Sequence, residues 1–237
     1  RAGVDLTGVK RVGEAATALS MIVVRPDGEK TIILAPNAND AWDDTGAGDV
    51  AKAIENAPEG SVLVVDLEVP EDAVRRAMTA ARERGLRVVL DPSPADRMPE
   101  DLFAFVDAIT PNPSEAQTLT GIEISSADDA ERAGQELLRR GVGAACMKLP
   151  DGGCVVVADN VHERIDPVEV DVVDTTGAGD AFAGALGVAL LDGMEIVPAA
   201  RFAVATSHLA VTAYGSQESY PARDEVERML DRLGNGG

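Results

Sequence analysis

Aromatic side chains are scarce, with Phe, Tyr and Trp making up 3% of this 237-residue chain. A core must therefore be built from Val, Ile, Leu and Ala, and the 45% hydrophobic content is enough for one substantial core and one domain over residues 1–237. Positive charge is also short: 21 Lys and Arg stand against 41 Asp and Glu, a net charge of -20. That balance excludes nucleic acid and anionic membranes as partners, because both need clustered cations. No apolar run reaches the ~18 residues of a membrane span, and no leader-type series opens the chain, so it reads as soluble. Only two cysteines are present, Cys146 and Cys154 on either side of an expected turn. They are expected to pack as small hydrophobes in a reducing, cytoplasmic setting. The first residue is Arg1 rather than Met, and the chain is expected to lack an N-terminal portion.

What is present changes character at residue 61. Before it, residues 15–35 alternate around Arg25-Pro26-Asp27-Gly28, which predicts a hairpin of AATALSMIVV and EKTIILA. After it, apolar strands alternate with helices: SVLVVDL, PEDAVRRAMTAARERG, LRVVLDPS, VDAIT, a helix from near Ser114, a helix over 127–140, then GAACMKL. This order predicts an α/β/α three-layer fold with a mostly parallel sheet and right-handed crossovers. CVVVAD and HERIDP read as antiparallel strands toward a sheet edge, and helices follow over 178–191, 195–213 and 222–232.

The segment DTTGAGDAFAGALGVAL, residues 174–190, carries the most chemistry. Gly177, Ala178 and Gly179 precede a strongly helical run, so backbone N–H groups at that helix start can converge on an anion. Asp180 falls in the first turn, where a carboxylate can accept a proton from an alcohol. DTGAGD at 44–49 repeats the letters, but after a polar loop and before the less apolar helix VAKAIENA; residues 44–49 are read as capping only. His162 and His208 have no ligand set in sequence and read as surface and packing residues. Trp42 reads as a loop residue or one packed beneath the hairpin, and Glu123 to Glu131 as a solvated helix start.

Residues 174–187 resemble the second signature of the ribokinase family, the phosphofructokinase B-type carbohydrate kinases. The resemblance extends through APNAN (35–39), DLEVP (66–70), DPSPA (91–95), ITPNPSEAQTLTG (109–121) and AVTAYGSQESYP (210–221). It implies Asp180 as catalytic base and Gly177, Ala178 and Gly179 as an anion hole for the transferring phosphoryl group. It places Asn112 and Glu115 near the triphosphate and its Mg2+, and Glu68, at a strand's carboxyl end, on the sugar. The same Asn-Pro-Ser-Glu letters also spell a helix N-terminus, and Glu68 could equally be a solvated strand end. Asp174, Thr176, Ala210, Ala213, Gly215 and Ser219 match positions that hold K+; AYGSQES is also an ordinary turn composition.

The resemblance further implies nucleotide contacts from Lys148, Leu149, Pro150, Asp151, Gly152, Gly153, Gly179 and Val204. Two departures bear on them: Pro150 stands where relatives place Gly, and Val204 replaces a polar residue near the adenine. Relatives also carry an early Asp and a Gly-Gly-x-x-x-Asn segment that hold much of the sugar; neither is found in residues 1–14. The implied reaction is MgATP plus a sugar, D-ribose first, giving ADP and a sugar phosphate. Fructokinase, 2-keto-3-deoxygluconate kinase, nucleoside kinase and a non-catalytic nucleotide-binding relative are the alternatives. Residues 13–36 are expected to form a lid, and lid pairing implies a homodimer.

Overall fold

In the computed structural model, which describes residues 3–24 and 30–234, the chain forms two sheets of unequal size. The smaller pairs β1 (Leu19–Val24) with β2 (Lys30–Ala35) antiparallel, Leu19 opposite Ala35. Its first strand begins at Leu19 rather than residue 15, and the expected Arg25–Gly28 turn lies outside the described residues. The base is fastened by Ala38 N–H to Ala16 O and by Asn37 Nδ2 to Thr17 O, at 3.0 and 3.1 Å. Leu19, Met21, Ile22, Val23, Ile33 and Leu34 are all exposed, so both faces of this ribbon carry apolar side chains into solvent.

The larger sheet has six strands whose spatial order follows the chain: β3 (Val62–Val65), β4 (Arg87–Leu90), β5 (Ala108–Ile109), β6 (Ala144–Lys148), β7 (Cys154–Ala158) and β8 (Val161–Ile165). The first four are parallel and the last two antiparallel, as the sequence predicts. Successive side chains of a strand point to opposite faces, and here each face has its own core. Val88, Leu90, Ile109, Ala145, Met147, Val155 and Val157 face one cluster. Val89, Ala108, Cys146, Cys154 and Val156 face the other.

The first cluster is closed by α1 (Asp44–Glu55), α2 (Glu71–Glu83), α3 (Pro113–Thr120) and α4 (Ala127–Arg139). The second is closed by α5 (Ala178–Leu191), α6 (Ile196–Ala210) and α7 (Arg223–Gly234). Ala181, Ala185, Ala189, Ala199, Ala200 and Ala203 are buried in α5 and α6, which pack together; small side chains let helices approach closely, so few aromatics are needed. Cys146 and Cys154 are free and buried, acting as the small hydrophobes expected, and burial pushes the Cys154 thiol up. The acidic stretch serves α4 as a start: Ser126 Oγ caps the Asp129 N–H at 3.2 Å, and Asp129 answers Ser125 and Ser126 with its carboxylate. No helix among the described residues is long and apolar enough to cross a membrane.

Candidate active site

The parallel strands end side by side, and a carboxylate follows two of them. Val65 pairs with Leu90, so Asp66 and Asp91 leave adjacent strands at the same level, and Asp91 N–H donates to Val65 O at 2.9 Å. Above them begins α5. Asp66, Asp91 and Asp180 line one cavity of about 200 Å3 with Val64, Val65, Ala183 and Gly184. Open α/β sheets place ligands at this carboxyl edge.

Helix α5 begins at Ala178, as expected, with Gly177 as its N-cap. Gly177 has φ +79°, and a Cβ there would lie 2.8 Å from Ser216 Cβ, so only glycine fits both the conformation and the space. A glycine cap offers no side-chain acceptor, and the first N–H groups of a helix have none within it. Asp180 sits exposed in that first turn.

Lys148, the last residue of β6, reaches into the same place. Its Nζ lies 3.9 Å from Asp91 Oδ1, over the Phe182 ring, and 3.5 Å from where a Cβ on Gly179 would stand. Asp91 is 9% exposed and its Oδ1 has no hydrogen-bond partner. Burial pushes its pKa up, Lys148 pulls it down, and Asp180 and Asp66 add to the rise. Glu68 is half-buried, its N–H held by Asp66 Oδ1 at 2.8 Å. Its pKa is raised by burial and by the charges of Asp66, Asp180 and Asp91, against a nearby Arg97. At Asp66, packing against neighbouring atoms raises the pKa, the Glu68 N–H opposes it and Asp180 adds to it. The site is thus a set of crowded carboxylates around one ammonium.

Asn112 and Glu115 form a reciprocal capping box at α3: Asn112 Oδ1 accepts from Glu115 N–H at 2.9 Å, and Glu115 Oε2 accepts from Asn112 N–H at 2.8 Å. The helix-start reading of these letters therefore holds. Lys148 and Asp91 both act on the Glu115 carboxyl, whose pKa burial raises, so it also borders the site.

Residues 149–153 make a tight turn between β6 and β7. Gly152 N–H returns to Leu149 O at 3.1 Å, which puts Pro150 second in the turn, where its fixed φ suits and no N–H is needed. Asp151 Oδ1 accepts from Gly153 N–H at 2.9 Å, and Oδ2 pairs with Arg164 at 2.8 Å. Val204 is not brought to a surface beside this turn: at 1% exposed it packs inside the second core.

The six residues expected around a cation sit on two docked segments. Asp174 accepts from Thr176 N–H at 2.9 Å and Gly215 N–H at 3.2 Å, while Val173 and Asp174 N–H both reach Val211 O, beside Ala210 and Ala213. Ser219 is buried within the same loop, its N–H on Ser216 O at 3.1 Å. Among the described residues no cluster of three or more His, Cys, Asp or Glu is arranged to hold a metal ion.

The other DTGAGD copy departs from its expected boundaries, because α1 begins at Asp44 and the cap is Asp43, just upstream, accepting from Gly46 N–H at 2.7 Å. Trp42 covers that helix start, near Gly46. His162 pairs with Glu131 at 3.1 Å on the sheet edge. The sequence reading passed over Asp66 and Asp91; the signal was two apolar strands, LVVD and VVLD, each ending in Asp.

The comparisons with known proteins agree with this architecture. The model of the pfkB family carbohydrate kinases matches residues 1–223. The chain is 31% identical to a ribokinase of Haemophilus influenzae over 229 residues, covering 97% of this chain and 74% of that protein. It is 30% identical to a ribokinase of Staphylococcus aureus, with 96% and 74% covered. The structure of Arabidopsis thaliana ribokinase complexed with ribose and ATP superposes with a TM-score of 0.80 at 29% identity, over 92% of this chain and 70% of that one. On the family match and the Haemophilus relative together, the chain belongs to the pfkB family of carbohydrate kinases.

Proposed function

We propose that this sugar kinase transfers the γ-phosphoryl group of ATP to the 5-hydroxyl of D-ribose, with Asp180 as the base. The observation that carries the reading is the pairing of Asp180 with a glycine-capped helix start, on the cavity at the strands' carboxyl ends. Asp180 takes the hydroxyl proton, the sugar oxygen forms a bond to the γ-phosphorus, and the bond from that phosphorus to the ADP oxygen breaks. The N–H groups at the start of α5, those of its cap Gly177 and of Ala178 and Gly179, meet the charge on the phosphoryl oxygens. Lys148 is the cation placed to meet the same charge. The choice of ribose is supported by the relatives named ribokinase and by the Arabidopsis neighbour, whose complex holds ribose and ATP. Glu68 is assigned to the sugar, and Asn112, Gly179 and the 148–153 turn to the nucleotide.

Mg2+ neutralises phosphate charge when it is bound. Glu115 fits a contact through water rather than a direct cage, because one of its oxygens is held by Asn112 N–H and, among the described residues, no group of three or more His, Cys, Asp or Glu is arranged to hold a metal ion. For K+, a single carboxylate, Asp174, bridging two segments rich in backbone carbonyls is a suitable oxygen set for a weakly hydrated cation. Ala210, Ala213, Gly215, Thr176 and Ser219 would complete it, and the ion would order the Gly177 loop. The β1–β2 ribbon is assigned as a lid over residues 13–36, and its exposed apolar faces favour a homodimer formed through it. Two free, buried cysteines suit a reducing cytoplasm.

The deciding assay is ADP release from MgATP with ribose, 2-deoxyribose, fructose, 2-keto-3-deoxygluconate or adenosine, with and without K+, for the parent and Asp180→Asn. Turnover is expected to be greatest with ribose, to rise with K+ and to fall by about 10²–10⁴-fold in the variant. A preference for another sugar would reassign the substrate, and turnover near the parent's rate in Asp180→Asn would remove the base.

A further inference from the structure

His208 is one of two histidines in the chain and lies in the last turn of α6, 7% exposed. Both of its ring nitrogens are engaged. Nδ1 accepts from Val168 N–H at 3.4 Å, and Nε2 lies 3.1 Å from Gly152 O. A ring that accepts at Nδ1 carries its proton at Nε2, so the second contact is a donation to the Gly152 carbonyl. Burial lowers the ring's pKa, while the Gly152 carbonyl and the Asp151 charge act against it, and the neutral form is the one these two contacts require.

The fit is close on both sides. Gly152 has φ +90°, and a Cβ on it would stand 2.9 Å from His208 Nε2, so the glycine leaves room for the imidazole. Three residues beyond His208, Val211 O takes the Val173 and Asp174 N–H groups at the foot of the Gly177 loop. One helix end therefore supports the 149–153 turn and the segment that leads into α5.

We infer that His208, as the Nε2–H tautomer, is a positioning residue that holds the 149–153 turn in its nucleotide-binding shape. The inference rests on the reading above that this turn takes the nucleotide. His208 lies behind the turn and acts through Gly152. Losing its donor leaves a carbonyl without a partner where the turn meets the helix, and a penalty of that kind corresponds to roughly a tenfold change in affinity.

Two substitutions separate the two nitrogens. In His208→Gln the amide nitrogen reaches the place of Nε2 and keeps the donation to Gly152; in His208→Asn the shorter amide reaches only the place of Nδ1. Steady-state kinetics should show the KM for MgATP raised about tenfold in His208→Asn and within about twofold of the parent in His208→Gln. The sugar KM, and kcat at saturating MgATP, should stay level in both. Equal damage in the two variants, or a loss spread over kcat and sugar KM, would overturn the inference in favour of plain helix packing. Should His208→Asn fail to fold, 15N NMR of the parent decides instead, with His162→Gln assigning the two rings: an Nδ1–H signal for His208 overturns the inference, and an Nε2–H signal supports it. The same spectra isolate the underlying reading. If a non-hydrolysable MgATP analogue leaves the Gly152 and Gly153 amides unmoved, the turn does not take nucleotide and the inference falls with it. If they move while parent and His208→Asn share one MgATP KM, the inference alone fails.

Discussion

The segments Asp44-Thr45-Gly46-Ala47-Gly48-Asp49 and Asp174-Thr175-Thr176-Gly177-Ala178-Gly179-Asp180 differ by one threonine. In the first, Asp43 stands just upstream and places its carboxylate on Gly46 N–H, so the whole segment is helical from Asp44. In the second, Val173 stands upstream with its N–H on Val211 O, and Asp174 turns to Thr176 and Gly215 instead. Gly177 then takes the left-handed conformation and caps α5 without a side-chain acceptor. The first helix start is capped by a carboxylate of its own chain, whereas the second has no side-chain acceptor at its cap. Burial separates the two helices as well: α1 buries only Ala47 and Ile54, while α5 is enclosed along most of its length.

The contrast can be broken most forcefully at the two aspartates. Asp180→Asn should lower kcat by about 10²–10⁴-fold, the usual worth of a general base, while Asp49→Asn leaves it unchanged. ADP release measures both, and similar losses would erase the distinction. At the glycines the signs should oppose. Gly177→Ala puts a Cβ into a left-handed residue and against Ser216, and is expected to destabilise by more than ~1 kcal/mol. Gly46→Ala enters ordinary contact space inside a helix and should stabilise by about 0.5 kcal/mol. Urea melts of the two variants would show it. Asp43→Ala should cost ~1 kcal/mol in the same melts with turnover retained, because the cap it removes serves only α1.

The carboxylates of the second region also make its stability depend on pH. Asp91 has its pKa raised in the folded protein, chiefly by burial, so the folded form holds its proton more tightly than the unfolded form. The stability this gives is present below the ordinary carboxylate range and is lost as pH rises through the raised value. Asp91→Asn should therefore flatten the fall in Tm as pH rises above the ordinary carboxylate range, relative to the parent. A parent and variant with parallel Tm profiles would show that Asp91 ionises freely.

The sequence made the larger sheet legible because apolar runs of strand length alternate with helices that carry distinct apolar faces. Helix α5 begins and ends at residues 178 and 191, as expected, since a long apolar run following Gly177 leaves little choice. The 44–49 copy was harder to place, because its boundary depends on Asp43, a residue outside the repeated letters. Asp66 and Asp91 gain meaning only from the register that sets β3 beside β4, and a linear reading does not contain register. Val204 illustrates the reverse: its position along α6 says nothing about depth, and the fold seals it in the core. Asn112 and Glu115 form the capping box that their letters spell, and the same polar letters also suit a residue beside a charged site, so the sequence alone does not separate the two readings.

The interleaving of the two cores along each strand makes this sheet intolerant of changes in length. In β4, Val88 and Leu90 face one cluster and Val89 the other. Deleting a single residue between Arg87 and Leu90 would exchange every following side chain between the two faces and draw Asp91 back into the sheet. A family of chains keeping this site is thus free to vary its strands in side-chain size but not in count, and insertions should collect in the loops at the opposite, amino ends of the strands.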